Sequence, residues 1–156
     1  MYDLKILKSQ EFEIPVISIG NITVGGTGKT PHVEYLIRLL RSQFRVAVLS
    51  RGYKRHTQGF LAVESTSAVT DSGDEPLQIK RKFPSVTMAV CENRVTGINT
   101  LLSSGIHPDV FLLDDGYQHR RVTPGINILL VDYNHPLKED QLLPAGRLRE
   151  SMHEIR

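Results

Sequence analysis

Short apolar runs recur along the chain at residues 14–19, 46–49, 86–90, 110–113 and 126–131. They scarcely alternate with polar residues, which is the pattern of strands covered on both faces. Between them the period changes. Val33, Leu36, Ile37 and Leu40 fall at i, i+3, i+4 and i+7, and Pro31 suits the first turn of the helix they predict. Val95, Ile98 and Leu102 repeat that spacing, and Gly105 can close their helix in the left-handed conformation. Strand alternating with helix predicts an α/β fold: a mostly parallel sheet with right-handed crossovers and helices on both faces. Ligands of such sheets sit at the carboxyl ends of the strands. Residues 59–64 could add a short strand, and the Ser-, Thr-, Asp- and Gly-rich residues 66–73 read as an exposed loop able to act as a mobile lid.

Residues 20–30 read Gly-Asn-Ile-Thr-Val-Gly-Gly-Thr-Gly-Lys-Thr, after the first apolar run and before the first predicted helix. Glycines let successive backbone N–H groups curl around an anion, and the helix aims its positive end at the same point. Thr23, Val24, Gly25, Gly26, Thr27, Gly28, Lys29 and Thr30 therefore form a candidate phosphate cradle. Lys29 would reach the terminal phosphates of a nucleoside triphosphate, and the Thr30 hydroxyl would complete the shell of a Mg2+ ion. Thr23 stands where the strict G-x-x-x-x-G-K-[ST] pattern has its first glycine, so a plain glycine-rich turn is the competing account. Strand before, helix after and three glycines ahead of the lysine favour nucleotide binding, and make the expected α/β fold P-loop NTPase-like.

Carboxylates follow. The run at 110–113 ends in Asp114 and Asp115, a pair suited to holding magnesium at a strand end, although Asp-Asp-Gly is also good turn chemistry. Adjacent residues of an extended strand point oppositely, so only one of the two is expected to project fully into the site, with Asp115 preferred. Asp74 and Glu75 precede Pro76. Spacing alone favours a helix start with Asp74 as N-cap, while the chemical alternative makes Asp74 a base for an attacking hydroxyl. Gln118 and His119 follow the acidic strand end, Arg51 follows the second apolar run, and Arg147 and Arg149 flank a predicted turn-to-helix junction.

At 156 residues the chain is long enough for one domain with a real core. Its composition, 40% hydrophobic and 23% charged with a net charge of +2, argues against a polycation built for nucleic acid. Basic residues nevertheless cluster at Arg51, Lys54 and Arg55, at Arg120 and Arg121, and at Arg147 and Arg149. A lone Cys91 excludes an internal disulfide and suits a reducing compartment. No apolar run approaches the ~20 residues of a membrane span. The first strand begins almost at once and residues 149–156 read as a helix still in progress, so the chain is expected to be a fragment of a longer protein.

Taken in order, segments 17–31, 50–53 (Ser-Arg-Gly-Tyr), 73–76 (Gly-Asp-Glu-Pro), 114–119 (Asp-Asp-Gly-Tyr-Gln-His) and 143–150 (Leu-Pro-Ala-Gly-Arg-Leu-Arg-Glu) resemble one family, tetraacyldisaccharide 4′-kinase, the lipid A 4′-kinase of Gram-negative bacteria. The resemblance spans essentially the whole chain. It implies phosphoryl transfer from ATP to the 4′-hydroxyl of a tetraacylated glucosamine disaccharide 1-phosphate at the cytoplasmic face of the inner membrane. It further implies Asp74 as catalytic base with Lys29 and Asp115, metal contacts from Thr30, Asp114 and Asp115, and substrate contacts from Arg51, Glu75, Gln118, His119 and Arg149. A partner histidine and a second, smaller domain are expected from later sequence, and a membrane-docking segment from earlier sequence. Residues 1–156 alone are accordingly expected to transfer no phosphate to lipid. Two other classes compete. A GTPase or ATPase switch that assembles a metal centre is weakened by the lack of an Asn-Lys-x-Asp guanine reader and of metal-spaced His pairs. A non-catalytic nucleotide-binding module would bind nucleotide without needing an acceptor.

Overall fold

The computed structural model describes residues 9–21, 23, 28–116, 121–133, 142, 146 and 148. Strands β1 (Val16–Gly20), β2 (Val46–Ser50), β3 (Leu61–Ala62), β4 (Thr87–Val90), β5 (Val110–Asp114) and β6 (Ile126–Leu129) form one sheet in the order β3-β4-β2-β5-β1-β6. All neighbours run parallel except β3, which pairs antiparallel with β4. The helices are α1 (Lys29–Leu40), α2 (Val69–Ser72), α3 (Asp74–Lys82) and α4 (Arg94–Ser103). The predicted extra strand shrinks to two residues, and part of the predicted 66–73 loop is the single turn of α2.

Strand residues divide by parity between two cores. Ile19, Val46, Val48, Met88, Val90, Val110 and Leu112 pack under Val33 and Ile37 of α1 and Leu77 and Ile79 of α3. Ala47, Leu49, Ala89, Cys91, Phe111 and Leu113 face Ile98 and Leu101 of α4. Both faces of the central strands are thereby dry, which is why their sequences show no alternation. The α1 and α3 helices are further tied by Lys82, which bonds Glu34 across the helix pair, while Arg38 and Arg41 lie 5.5 and 5.3 Å from the Phe83 ring centre.

Chain direction sets where the crevice opens. The β1-to-β2 and β2-to-β4 connections move toward one sheet edge and carry their packed helices on one face. The β4-to-β5 connection moves back and carries α4 on the other. All these crossovers therefore share one hand, as strand twist requires. From the adjacent strands β1 and β5 the chain departs toward opposite edges, and a cleft opens past their carboxyl ends.

Candidate active site

The lysine of the glycine-rich segment is the first residue of α1, directly after Gly28, which sits at the N-cap with φ +76°. Lys29 Nζ donates to Asn21 Oδ1 at 3.1 Å and lies 3.5 Å from Asp115 Oδ1. Asn21 is itself held by its Nδ2 donating to Thr23 O at 2.8 Å. A buried asparagine thus aims the lysine across the β1–β5 crevice. Thr30 follows on the first turn of the helix.

The two acids at the end of β5 occupy different environments. Asp114 is the last strand residue and is 2% exposed. Ser50 Oγ, at the matching end of β2, donates to Asp114 Oδ2 at 3.0 Å. Burial pushes the Asp114 carboxyl up to about 6; the Ser50 bond opposes that, nearby Glu75 and Asp115 add to it, and Arg94 opposes it. Its other oxygen, Oδ1, is buried without a hydrogen-bond partner among the described residues. Asp115 lies past the strand with φ +52°, a left-handed conformation that turns its side chain back toward Lys29. Strict strand alternation would send one acid away from the site. The left-handed turn at Asp115 lets both line it, yet only Asp115 projects fully, its side chain 37% exposed while Asp114 stays buried in the wall.

The third contribution comes from the start of α3. Gly73, not Asp74, occupies its N-cap position, with φ +87° and ψ 157°, and no side chain caps the helix. The N-cap reading of Asp74 is therefore corrected: only glycine readily adopts that backbone conformation, and Asp74 becomes the first helical residue. A Cβ on Gly73 would lie 3.2 Å from the Tyr53 carbonyl oxygen, so the loop after β2 and the start of α3 touch backbone to backbone. Asp74 and Glu75 are left exposed at the positive end of α3, with side chains not used as caps.

These elements converge. Lys29, Arg51, Asp74, Glu75, Asp114 and Asp115 line one cavity of about 510 Å³, with Ser50 and Tyr53 in its wall. No cluster of three or more His, Cys, Asp or Glu able to hold a metal occurs among the described residues. Magnesium in nucleotide sites needs less, since one or two carboxylates, a hydroxyl, waters and phosphate oxygens fill its shell. The unpartnered Asp114 Oδ1 fits that role.

A family model described as tetraacyldisaccharide-1-P 4′-kinase, LpxK, matches residues 1–156. The chain belongs to this family. The 4′-kinase of Phocaeicola vulgatus is 59% identical over 152 residues, covering 96% of this chain and 42% of that protein. That of Bacteroides thetaiotaomicron is 57% identical over 153 residues, covering 97% and 40%. The chain thus spans about two fifths of the length of the curated relatives it matches. The crystal structure of an LpxK from Aquifex aeolicus, in complex with ATP, superimposes with a TM-score of 0.88 at 43% identity, over 97% of this chain and 48% of that one.

Of the residues that the 4′-kinase resemblance singles out, Thr23, Gly28, Lys29, Thr30, Arg51, Asp74, Glu75, Asp114 and Asp115 are described above. Val24, Gly25, Gly26, Thr27, Gln118, His119 and Arg149 lie outside the described residues. Three supporting residues have no role predicted from the sequence. Asn21 and Ser50 are short polar residues at strand ends, a position that could have marked them. Arg94 carries no such signal. It is the first residue of α4, only 1% exposed, and its Nη1 and Nη2 donate to the carbonyls of Cys91 and Asp114 at 2.5 and 3.1 Å. Burial lowers its guanidinium to about 10, against the pull of Asp114 and Asp115.

Proposed function

We propose that the protein carrying this chain transfers the γ-phosphoryl group of ATP to the 4′-hydroxyl of a tetraacylated glucosamine disaccharide 1-phosphate, a step of lipid A biosynthesis. Family membership and the relatives named tetraacyldisaccharide 4′-kinase support the reaction. The LpxK solved with ATP supports the phosphate donor. The observation that carries the reading is a single cavity in which a helix-start lysine, two strand-end acids and a second, uncapped acid pair meet.

In this reading Lys29 and the positive end of α1 neutralise charge on the transferred group. Asp114, through Oδ1, and the Thr30 hydroxyl would hold magnesium, which supplies further charge neutralisation when bound. Asp115, 3.5 Å from Lys29, keeps the ammonium aimed across the crevice. Asp74 accepts the proton as the acceptor O–H bond breaks and the new P–O bond forms, with ADP leaving. Positioning and electrostatics carry most of such a reaction. Arg51 and Glu75 bind the acceptor from the rim. No helix among the described residues is long and apolar enough to cross a membrane. Attachment at the inner membrane's cytoplasmic face would be peripheral, through basic residues on anionic lipid.

Asp74→Asn in the full-length protein tests this. The substitution keeps shape, and because Gly73 is the cap it removes no cap. ATP affinity should stay within about twofold while kcat falls on the order of 100-fold or more, as loss of a general base does. Near-normal turnover would remove Asp74 from the chemistry.

A further inference from the structure

Helix α1 opens in an unusual way. Its N-cap, Gly28, has φ +76° and ψ 27°, a left-handed conformation, where a helix is ordinarily preceded by an extended residue. The bond that should close the first turn, from the His32 backbone N–H to the Gly28 carbonyl oxygen, is stretched to 3.3 Å. A second donor takes over. The His32 ring lies with Nδ1 at 2.8 Å from the same oxygen, and because a carbonyl only accepts, Nδ1 carries the proton and donates. The ring also packs beside the glycine: a Cβ on Gly28 would lie 3.7 Å from Nδ1 and 3.9 Å from Cε1.

The Gly28 carbonyl and the Lys29 N–H belong to one planar peptide unit and point in opposite directions. Holding the carbonyl toward His32 therefore fixes the Lys29 N–H pointing out of the positive end of α1. That donor matters because the first turn has few of them. Pro31, the third residue of α1, has no N–H, which leaves Lys29 and Thr30 to supply the donors of that turn. Asn21 Oδ1 already aims the ammonium of the same lysine. The two phosphate-binding groups of Lys29 are thus aimed from two sides, the side chain by Asn21 and the backbone by His32. His32 itself is exposed and does not line the site cavity, so it acts through Gly28.

We propose that His32 is a positioning residue for the nucleotide: its Nδ1–H locks the Gly28–Lys29 peptide so that the Lys29 N–H is aimed at the phosphates before ATP arrives. Removing the ring leaves that peptide to be ordered at the moment of binding, which weakens affinity. The identity of the nucleotide rests on the kinase reading above.

The test uses the full-length protein with ATP–Mg2+ and the tetraacyldisaccharide 1-phosphate dispersed in neutral detergent. Three variants separate the ring nitrogens. His32→Asn puts an amide N–H close to the place of Nδ1, His32→Gln puts one close to the place of Nε2, and His32→Leu has no donor. The position is exposed and helical, so all three can be accommodated. In the Leu and Gln variants the dissociation constant for ATP–Mg2+ by calorimetry, and KM for ATP, should rise about three- to tenfold, the range for one lost hydrogen bond. His32→Asn should stay within about twofold of the parent, because it keeps that bond. In all three, kcat should stay within about twofold and KM for the acceptor should not move, since what is lost is uniform binding of the nucleotide. A histidine that only steadies the helix predicts a lower Tm with unchanged ATP affinity, and that result would overturn the proposal. Equal losses in the Asn and Leu variants, or rescue by Gln, would overturn it as well. Weaker ATP binding in His32→Leu, beside a parent that transfers no phosphate to the lipid, would support the positioning role and sink the kinase reading. Phosphate transfer with the same ATP affinity in every variant would do the reverse.

Discussion

Asp114 is where the demands of folding and of chemistry oppose each other most directly. Its carboxyl is 2% exposed and titrates near 6 instead of 3.8, chiefly because burial penalises the charge. For an acid whose folded pKa lies above its unfolded value, the native state holds the extra proton between the two values. Ionisation above pH 6 therefore costs stability, and the cost fades as pH falls from 6 to 4. The rise from 3.8 to about 6 corresponds to an upper figure of about 3 kcal/mol. Asp114→Asn keeps the shape and an oxygen to accept from Ser50 Oγ, and it removes the charge. Without nucleotide or magnesium at pH 8, it should be more stable than the parent by about 1–3 kcal/mol, or ~2–4 °C in Tm for each kcal/mol. At pH 4.5 the two proteins should be nearly equal. Urea unfolding at both pH values, with nucleotide turnover measured in parallel, gives the answer, and turnover should collapse in the same variant that gains stability. A variant less stable at pH 8, or a difference that does not change with pH, would show that the charge is already compensated and the burial argument is wrong.

Lys29→Ala should abolish measurable ATP binding in calorimetry, since it removes both the phosphate contact and the partner of Asp115; unchanged affinity would refute the phosphate-loop reading. Gly73→Ala should cost about 1–3 kcal/mol of stability in thermal unfolding, from the φ of +87° and the Tyr53 carbonyl 3.2 Å from the new methyl group. It should also raise KM for the acceptor, because the start of α3 can no longer sit against the loop after β2. A neutral effect would mean that the backbone there relaxes freely.

The sheet was legible because its central strands are dry on both faces, which leaves unbroken apolar runs such as 46–49 and 110–113 for a reader to find. The edges were not. β3 is two residues long and β6 is largely exposed, so neither leaves a burial pattern that fixes its limits. At the site, strand-end acids and the lysine were readable from position. Their actual geometry depends on backbone torsions at Gly73 and Asp115 that no spacing rule encodes. The basic cluster at Arg51, Lys54 and Arg55 shows the same limit. In sequence its members look alike, yet Arg55 turns inward to Glu92 while the other two line the site cavity. Arg94 is the extreme case, because a cation opening a helix reads as solvated until the fold shows what lies above it.

The single cysteine has a practical consequence. Cys91 is 1% exposed in the core under α4, against Gly97, so reagents that alkylate free thiols will pass over it while the fold is intact. A cysteine introduced at an exposed position of the β2–β3 loop, such as Gln58, would then be the only site labelled within residues 1–156. A fluorophore or spin label placed there would report on the loop that borders the site cavity as nucleotide and acceptor are added. Unmasking of Cys91 itself would signal that α4 has lifted off the sheet, giving one thiol to read ligand binding and another to read local unfolding.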